Sequence, residues 1–375
     1  MLDFPKFMRL RTTSLFVFLA AMASPLLASN PALPKEGLEQ RIEFWKKVYT
    51  QYGADDVVIH DRIYVNLIYD VATNATQYDK AVNVKQALRE IRDNLDSREN
   101  FTPTETAIVE SIVAQGLELT PDLIDDLLDN IHTQQGIKER FRDGVVRSGR
   151  YVEQFRRIMA SQGVPEELAL LPLVESSFQN VRSKAGAVGM WQFTSGTGRS
   201  YMRITSKVDE RLDPVRSSEA AARLLRDNYS ALGVWPLAIT AYNHGRGGML
   251  SAQKAHGSDL PTIINDYRGN VFGYASMNFY SEFIAAVEVY ESYPQYFGDL
   301  ALERPDSVPQ NRPAVAAAKA PAKSAPAVAA SKYKVKNGDT LWEIAQRFGT
   351  SIASLMDKNN LNKPVIYAGQ ILLVK

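Results

Sequence analysis

Residues 301–331 impose the strongest constraint on how this chain can fold. Pro309, Pro313, Pro321 and Pro326 stand there among Ala, Lys and Val. A stretch of this composition has too little apolar bulk to bury a core, and its prolines hold the backbone extended. No single core can be built across it. The sequence on each side must therefore fold alone, with residues 301–331 as a tether. At 375 residues, the chain has room for two or three domains.

The part after the tether is short and punctuated. Tyr333-Lys334-Val335 reads as a strand, and Asn337-Gly338-Asp339-Thr340 as a turn whose Asp or Thr can cap a helix. Residues 341–348 are amphipathic. Ile352, Leu355 and Met356 form a second helical stripe, which Asn359-Asn360-Leu361 ends, and residues 369–374 return as a strand. The expected order over residues 332–375 is βααβ.

The part before the tether reads as helical. Residues 1–28 have the form of a secretory signal: Lys6, Arg9 and Arg11, then a short apolar run over 15–23, with cleavage contexts at Ala21-Met22-Ala23 and Leu26-Leu27-Ala28. A membrane span needs about 20 apolar residues, so an uncleaved anchor is the lesser alternative. In residues 37–150, Trp45, Val48, Tyr49 and Tyr52 recur at helical spacing, as do Val65, Ile68 and Tyr69. Thr102-Pro103-Thr104-Glu105 and Thr120-Pro121-Asp122 read as helix starts. No catalytic constellation stands out there. The apolar stripes are expected to form core, packed on the following domain, with partner binding as the alternative.

Composition removes several function classes. The net charge of +1 gives no global field for nucleic acid or membrane surfaces. With 0 Cys there is no disulfide, thiol chemistry or Cys-based zinc site, and no cysteine for a lipoprotein anchor. The 4 His residues (His60, His132, His244 and His256) show no metal-ligand spacing. No metal or cofactor is expected.

Three local patterns carry the chemistry. In Leu170-Leu171-Pro172-Leu173-Val174-Glu175-Ser176-Ser177-Phe178, a single carboxylate ends an apolar helical stretch. Such surroundings disfavour the charged form and keep a carboxyl protonated at higher pH, as a general acid requires. The bland reading is a solvated helix end. In Ser183-Lys184-Ala185-Gly186-Ala187-Val188-Gly189-Met190-Trp191-Gln192-Phe193, the glycines allow close backbone approach, the aromatics offer flat faces, and Gln192 carries both donor and acceptor. The alternative is a glycine turn leading into a core aromatic pair. In Ala238-Ile239-Thr240-Ala241-Tyr242-Asn243-His244-Gly245, an apolar helix runs into Tyr-Asn and stops at glycine. An ordinary helix cap is the alternative there.

In this order the three patterns resemble the catalytic domain of the lytic transglycosylases, the family that shares its fold with goose-type lysozyme. The lead-in Gly163-Val164-Pro165-Glu166-Glu167-Leu168-Ala169-Leu170-Leu171-Pro172 looks like the D-type branch of the membrane-bound murein enzymes. The resemblance runs from about residue 151 to about 296. It implies a mainly α, lysozyme-like catalytic domain over 151–300, following a helical region over 37–150. It implies Glu175 as acid/base, Ser183 and Gln192 at N-acetyl groups, Met190 and Trp191 lining the cleft, and Tyr242 and Asn243 beside the reacting sugar. His244 is the only histidine near that cleft. The family has a further Tyr on a later helix. In Ser276-Met277-Asn278-Phe279-Tyr280-Ser281-Glu282-Phe283, strict spacing puts Phe279 at that position. Tyr280, one residue on, is the expected counterpart, through a one-residue shift at a helix start.

Residues 332–375 resemble the LysM domain, which implies binding of N-acetylglucosamine-containing glycans through Gly338, Asp339, Thr340, Leu341 and Ile366. The implied partner is the peptidoglycan glycan strand, and the implied location is the periplasm or cell envelope. The family reaction needs one carboxylate, because the substrate's own 2-acetamido oxygen stabilises the developing cation. It ends in a 1,6-anhydro ring and consumes no water. Ordinary glycosidases need two carboxylates, and neither Asp209, Glu210, Asp213 nor Glu219 reads as a nucleophile. Asp209 pairs with Arg211 in this reading, and Asp213-Pro214 reads as a helix start. A hydrolytic muramidase and a non-catalytic wall-binding scaffold are the alternatives.

Overall fold

The computed structural model describes residues 33–269 and 271–305, and in the C-terminal part residues 332–336, 344, 348, 350, 355–356, 358–359, 361, 366–367 and 369–374. The expected signal segment and most of the expected tether lie outside the described residues. The chain divides into two compact units between Pro309 and Gln310. Among the described residues, no helix is long and apolar enough to cross a membrane.

The first unit is predominantly helical. Its elements are α1 (Glu39–Thr50), β1 (Asp56–Asp61), β2 (Ile68–Thr73), α2 (Gln77–Asp93), α3 (Pro103–Ala114), α4 (Pro121–Asp129), β3 (Ile131–Gln135), α5 (Lys138–Ser148) and α6 (Val152–Ser161). There follow α7 (Leu171–Glu175), α8 (Ser195–Arg199), α9 (Pro214–Leu232), α10 (Trp235–His244), α11 (Arg246–His256), α12 (Leu260–Asp266), α13 (Tyr274–Glu291) and α14 (Tyr293–Phe297). The main core lies between α1, α6, α9, α10 and α13. Helix α13 buries most of its length there.

The front region is not wholly helical. An antiparallel sheet of order β2-β1-β3 stands between α1 and α5. Ile68 and Tyr69, expected on a helix with Val65, open β2 instead. Burial explains how the sheet escaped a reading by periodicity. Val58 of β1 joins the main core, whereas Val57 and Ile59 join a second core with Leu88, Ile91, Ile112 and Leu127. With both faces covered, β1 has no polar alternation to mark it as a strand. The two helix starts do form as expected. Thr102 and Glu105 make a reciprocal capping box, and Thr120 caps α4 through the Leu123 amide.

The front region is fastened to α13 by polar contacts. Arg41 and the Trp45 indole both donate to Asn278 Oδ1, at 3.1 and 3.2 Å. The Tyr274 hydroxyl meets His60 Nε2 at 3.2 Å. Burial drives His60 down to about 3, so it stays neutral in this seam. Helix α1 is therefore part of the wall behind the site. At the far end, Leu302 packs on the main core and the Glu303 amide donates to Val146 O at 2.9 Å. The folded unit thus reaches past residue 301, where the tether was expected to begin.

In the second unit, β4 (Lys332–Lys334) pairs antiparallel with β5 (Ile371–Leu373). Val335, Ile344, Leu355, Leu372 and Val374 form its own core. Asn359 fills the role of a strand partner there. Its Oδ1 accepts from the Leu373 amide at 2.7 Å and its Nδ2 donates to Leu373 O at 3.0 Å.

Candidate active site

Glu175 closes a helix of a single turn. Helix α7 starts with a Pro in its first positions and ends at Glu175, after which Ser176 leaves helical geometry. The Ser176 hydroxyl donates to Met190 O at 2.8 Å. Ser177 and Phe178 then both take left-handed backbone, at φ 53° and 57°. Such positions cost on the order of 1–3 kcal/mol each and need surroundings that enforce them. Phe178 is buried with its ring stacked on Tyr151 and Phe155. Arg147 Nε donates to Ser177 O at 2.9 Å and Arg140 Nε to Ser177 Oγ at 3.1 Å. This strained turn fixes the direction in which Glu175 leaves α7.

Glu175 keeps some accessible surface yet lies deep in the domain, and its carboxyl has no hydrogen bond or ion pair among the described residues. Burial without a compensating donor or cation pushes it up to about 8.

The second pattern forms a tight loop beneath α7. The Ser183 amide donates to Ala187 O at 2.9 Å, and Ser183 Oγ accepts from the Ala187 amide at 3.0 Å. Gly189 sits at φ 86°, and a Cβ there would collide with Arg211 O, so only glycine fits. Arg211 is buried, paired with Asp209 at 2.8 Å, and donates to Phe193 O at 3.1 Å. The expected Asp209–Arg211 pair is thus a fixture of the loop. Asp213 caps α9 through the amides of Val215 and Arg216.

Within this loop the aromatic residues do not all face outward. Met190 and Trp191, expected to line the cleft, are 3% and 0% exposed. The Trp191 indole donates to Ser218 Oγ at 2.8 Å and its ring meets Phe155. An indole N–H needs a partner when buried, and α9 supplies one, so the ring turns into the core. Gln192 takes a left-handed φ of 48° and remains partly exposed. Its Nε2 donates to Gly189 O at 2.6 Å and Val181 O at 3.2 Å. The amide donors are thereby committed to the loop, leaving the carbonyl oxygen as the group available to a ligand.

The third pattern ends α10 against this loop. The Tyr242 hydroxyl donates to Trp191 O at 2.8 Å, and burial together with the nearby Glu175 holds it neutral. Asn243 is exposed, and its Oδ1 accepts from Ser276 Oγ at 3.0 Å. His244 lies edge-on to Phe272 with Nδ1 3.3 Å from Ser276 Oγ, and burial lowers its pKa.

Tyr280 does not join this group. It is fully buried, and its hydroxyl donates to Pro34 O at 2.8 Å. Phe279 faces the site instead, parallel to Tyr242 at 6.5 Å between ring centres. Helix α13 begins at Tyr274, more than a turn earlier, so Phe279 and Tyr280 lie in its regular part and point about 100° apart around the axis.

One acidic side chain near the site is missing from the reading of the sequence. Glu282 stands on α13 one turn after Phe279, and α13 packs on α7. It too has no hydrogen bond or ion pair to its carboxyl among the described residues, and burial and then Glu175 push it up to about 8. No local pattern marks it. It lies in an apolar helix, and its nearness to Glu175 arises only from packing.

In the second unit, Ile366 packs partly buried against the small core. Gly338, Asp339, Thr340 and Leu341, also expected at a glycan site, lie outside the described residues.

Comparison with known proteins agrees with both units. Residues 155–263 match the Transglycosylase SLT domain and residues 333–375 match the LysM domain. A stretch of 122 residues is 36% identical to membrane-bound lytic murein transglycosylase D of Escherichia coli K12, covering 32% of this chain and 27% of that protein. A shorter stretch of 42 residues is 55% identical to a probable N-acetylmuramidase of Lactococcus lactis subsp. cremoris, covering 11% of this chain and 10% of that protein. A putative tributyltin chloride resistance protein of Alteromonas sp. M-1 is 35% identical over 94 residues, covering 24% of this chain and 45% of its own length. The matches span less than half of each of these relatives. The chain therefore combines a transglycosylase SLT domain with a C-terminal LysM domain.

Proposed function

We propose that this chain is a lytic transglycosylase of the cell envelope, exported to the periplasm. In this reading it cleaves the β-1,4 bond between N-acetylmuramic acid and N-acetylglucosamine in peptidoglycan. The observation that carries the reading is the Glu175 carboxyl, deep in the SLT domain with no hydrogen bond or ion pair among the described residues and pushed up to about 8 by burial. Such a carboxyl holds a proton near neutral pH and can give it to the oxygen leaving C1 of the muramic acid. The substrate's acetamido oxygen stabilises the oxocarbenium. Glu175, now ionised, takes the proton of the C6 hydroxyl as that oxygen bonds to C1. One C–O bond breaks, one forms, and the proton on Glu175 is restored.

Other residues position the sugar in this account. Gln192 offers its carbonyl oxygen to an acetamido N–H, Asn243 offers its exposed amide, and Tyr242 stiffens the loop through Trp191 O. Ser183 acts through the same loop. The LysM domain holds the glycan strand. If the tether places it within reach, a weak second site gains effective concentration of millimolar order.

A hydrolytic outcome is the second reading, favoured by the presence of another carboxyl, Glu282, near Glu175. Mass analysis of the soluble products from purified sacculi decides between them. Anhydro-muramic ends support the lytic reading, reducing ends support hydrolysis, and no soluble product contradicts both.

A further inference from the structure

Glu282 is placed at the site by three elements. Along α13, Ser276, Phe279 and Glu282 follow at three-residue intervals, which lie close together on a helix surface. Ser276 bonds Asn243, and Phe279 lies parallel to Tyr242, so this side of α13 is turned towards the end of α10. The same helix packs on α7, the turn that ends in Glu175. The backbone at Glu282 is pinned from a third side, where the Tyr49 hydroxyl donates to Glu282 O at 3.2 Å. Glu282 keeps partial exposure, as Glu175 does, and neither carboxyl has an ion pair among the described residues.

Two carboxyls in one poorly solvated site cannot both ionise freely; the first charge resists the second. We propose that Glu282 is the charge partner of Glu175, a positioning residue that sets the pH at which Glu175 loses its acid form. This rests on Glu175 being the proton donor. The titratable groups turned towards the pair leave it uncompensated. Tyr49 on α1, Tyr242 on α10 and Tyr274 on α13 are all held neutral by burial. Arg140 and Arg147 on α5 are cations that bond the Ser177 turn, at Ser177 Oγ and Ser177 O, and neither forms an ion pair with Glu175 or Glu282 among the described residues. Ionisation of either carboxyl therefore opposes ionisation of the other, so with Glu282 present the pair retains a proton to higher pH than Glu175 would alone. After Glu175 has given that proton up, the pair faces the developing oxocarbenium with added negative charge.

The test uses the full chain and soluble glycan strands, with kcat/KM followed against pH. Glu282→Gln should keep cleavage at acid pH and move the alkaline limb down by about one pH unit or more. Glu282→Asp should restore much of the wild-type limb. An unshifted limb, or an equal loss at every pH, would overturn the proposal. A reciprocal measurement does not depend on the Glu282 variants folding. In Glu175→Gln, 13C-detected titration of Glu282 should give a lower pKa than in the wild type, and an unchanged value again overturns the pairing. If Glu175→Gln itself cleaves glycan normally, the reading of Glu175 fails instead, and the two failures are distinguishable.

Discussion

The Tyr242 hydroxyl donates to the carbonyl oxygen of Trp191 at 2.8 Å, so the end of α10 is tied to the loop that passes beneath Glu175. This joins two of the sequence patterns by one bond. It also makes Tyr242 a structural donor, with its hydroxyl already committed.

Tyr242→Phe should therefore cost stability as well as activity. A neutral hydrogen bond contributes about 0.5–1.5 kcal/mol net, and the Trp191 carbonyl would lose its partner. Thermal unfolding should show a modest loss, and cleavage of soluble glycan should fall about three-fold to ten-fold. An unchanged melting temperature together with complete loss of cleavage would mean that the hydroxyl takes part in the reaction directly.

Stability should fall as pH rises across the neutral range. Glu175 and Glu282 are both raised to about 8 in the folded protein, above the ordinary carboxylate value. Between those limits the folded state binds more protons than the unfolded one, so stability drops with increasing pH and levels off above about 8. The stabilising effect is fully present below the unfolded value. Chemical denaturation at several pH values, on the wild type and on the Glu175→Gln, Glu282→Gln double variant, checks this. The double variant should show a flatter dependence between pH 5 and 8 (about the range set by the two pKa values). Parallel curves would mean that the two carboxyls ionise normally.

Deletion of residues 332–375 should weaken binding to insoluble wall and spare cleavage of short soluble glycans. The small domain has its own core of Val335, Ile344, Leu355, Leu372 and Val374, so removing it opens no core in the first unit. Sacculus pull-down and turnover on a soluble oligomer measure the two effects separately. Equal losses in both would mean that the LysM domain contributes to the catalytic fold.

Local chemistry made much of this legible in the sequence. The Asp213 cap, the Thr102 capping box and the Asp209–Arg211 pair involve residues a few positions apart. The glycine loop is likewise local, and Gly189 is fixed by its approach to Arg211 O. Features created by packing were not legible. Strand β1 is covered on both faces and so lacks alternation. Trp191 turns inward because Ser218, on another helix, accepts from its indole. Tyr280 is drawn to Pro34 from the far end of the unit. Glu282 comes under the influence of Glu175 only once α13 lies on α7.

The central claim is that the Glu175 carboxyl carries the proton. Its most direct test is release of soluble glycan from purified sacculi by Glu175→Gln, compared with wild type at equal folded concentration. The amide keeps the shape but cannot donate a proton and then recover one. The account predicts a rate lower by about 10²–10⁴, with the melting temperature at neutral pH equal to wild type or higher, because a buried carboxyl has been removed. Turnover near that of the wild type in a folded Gln variant would contradict it.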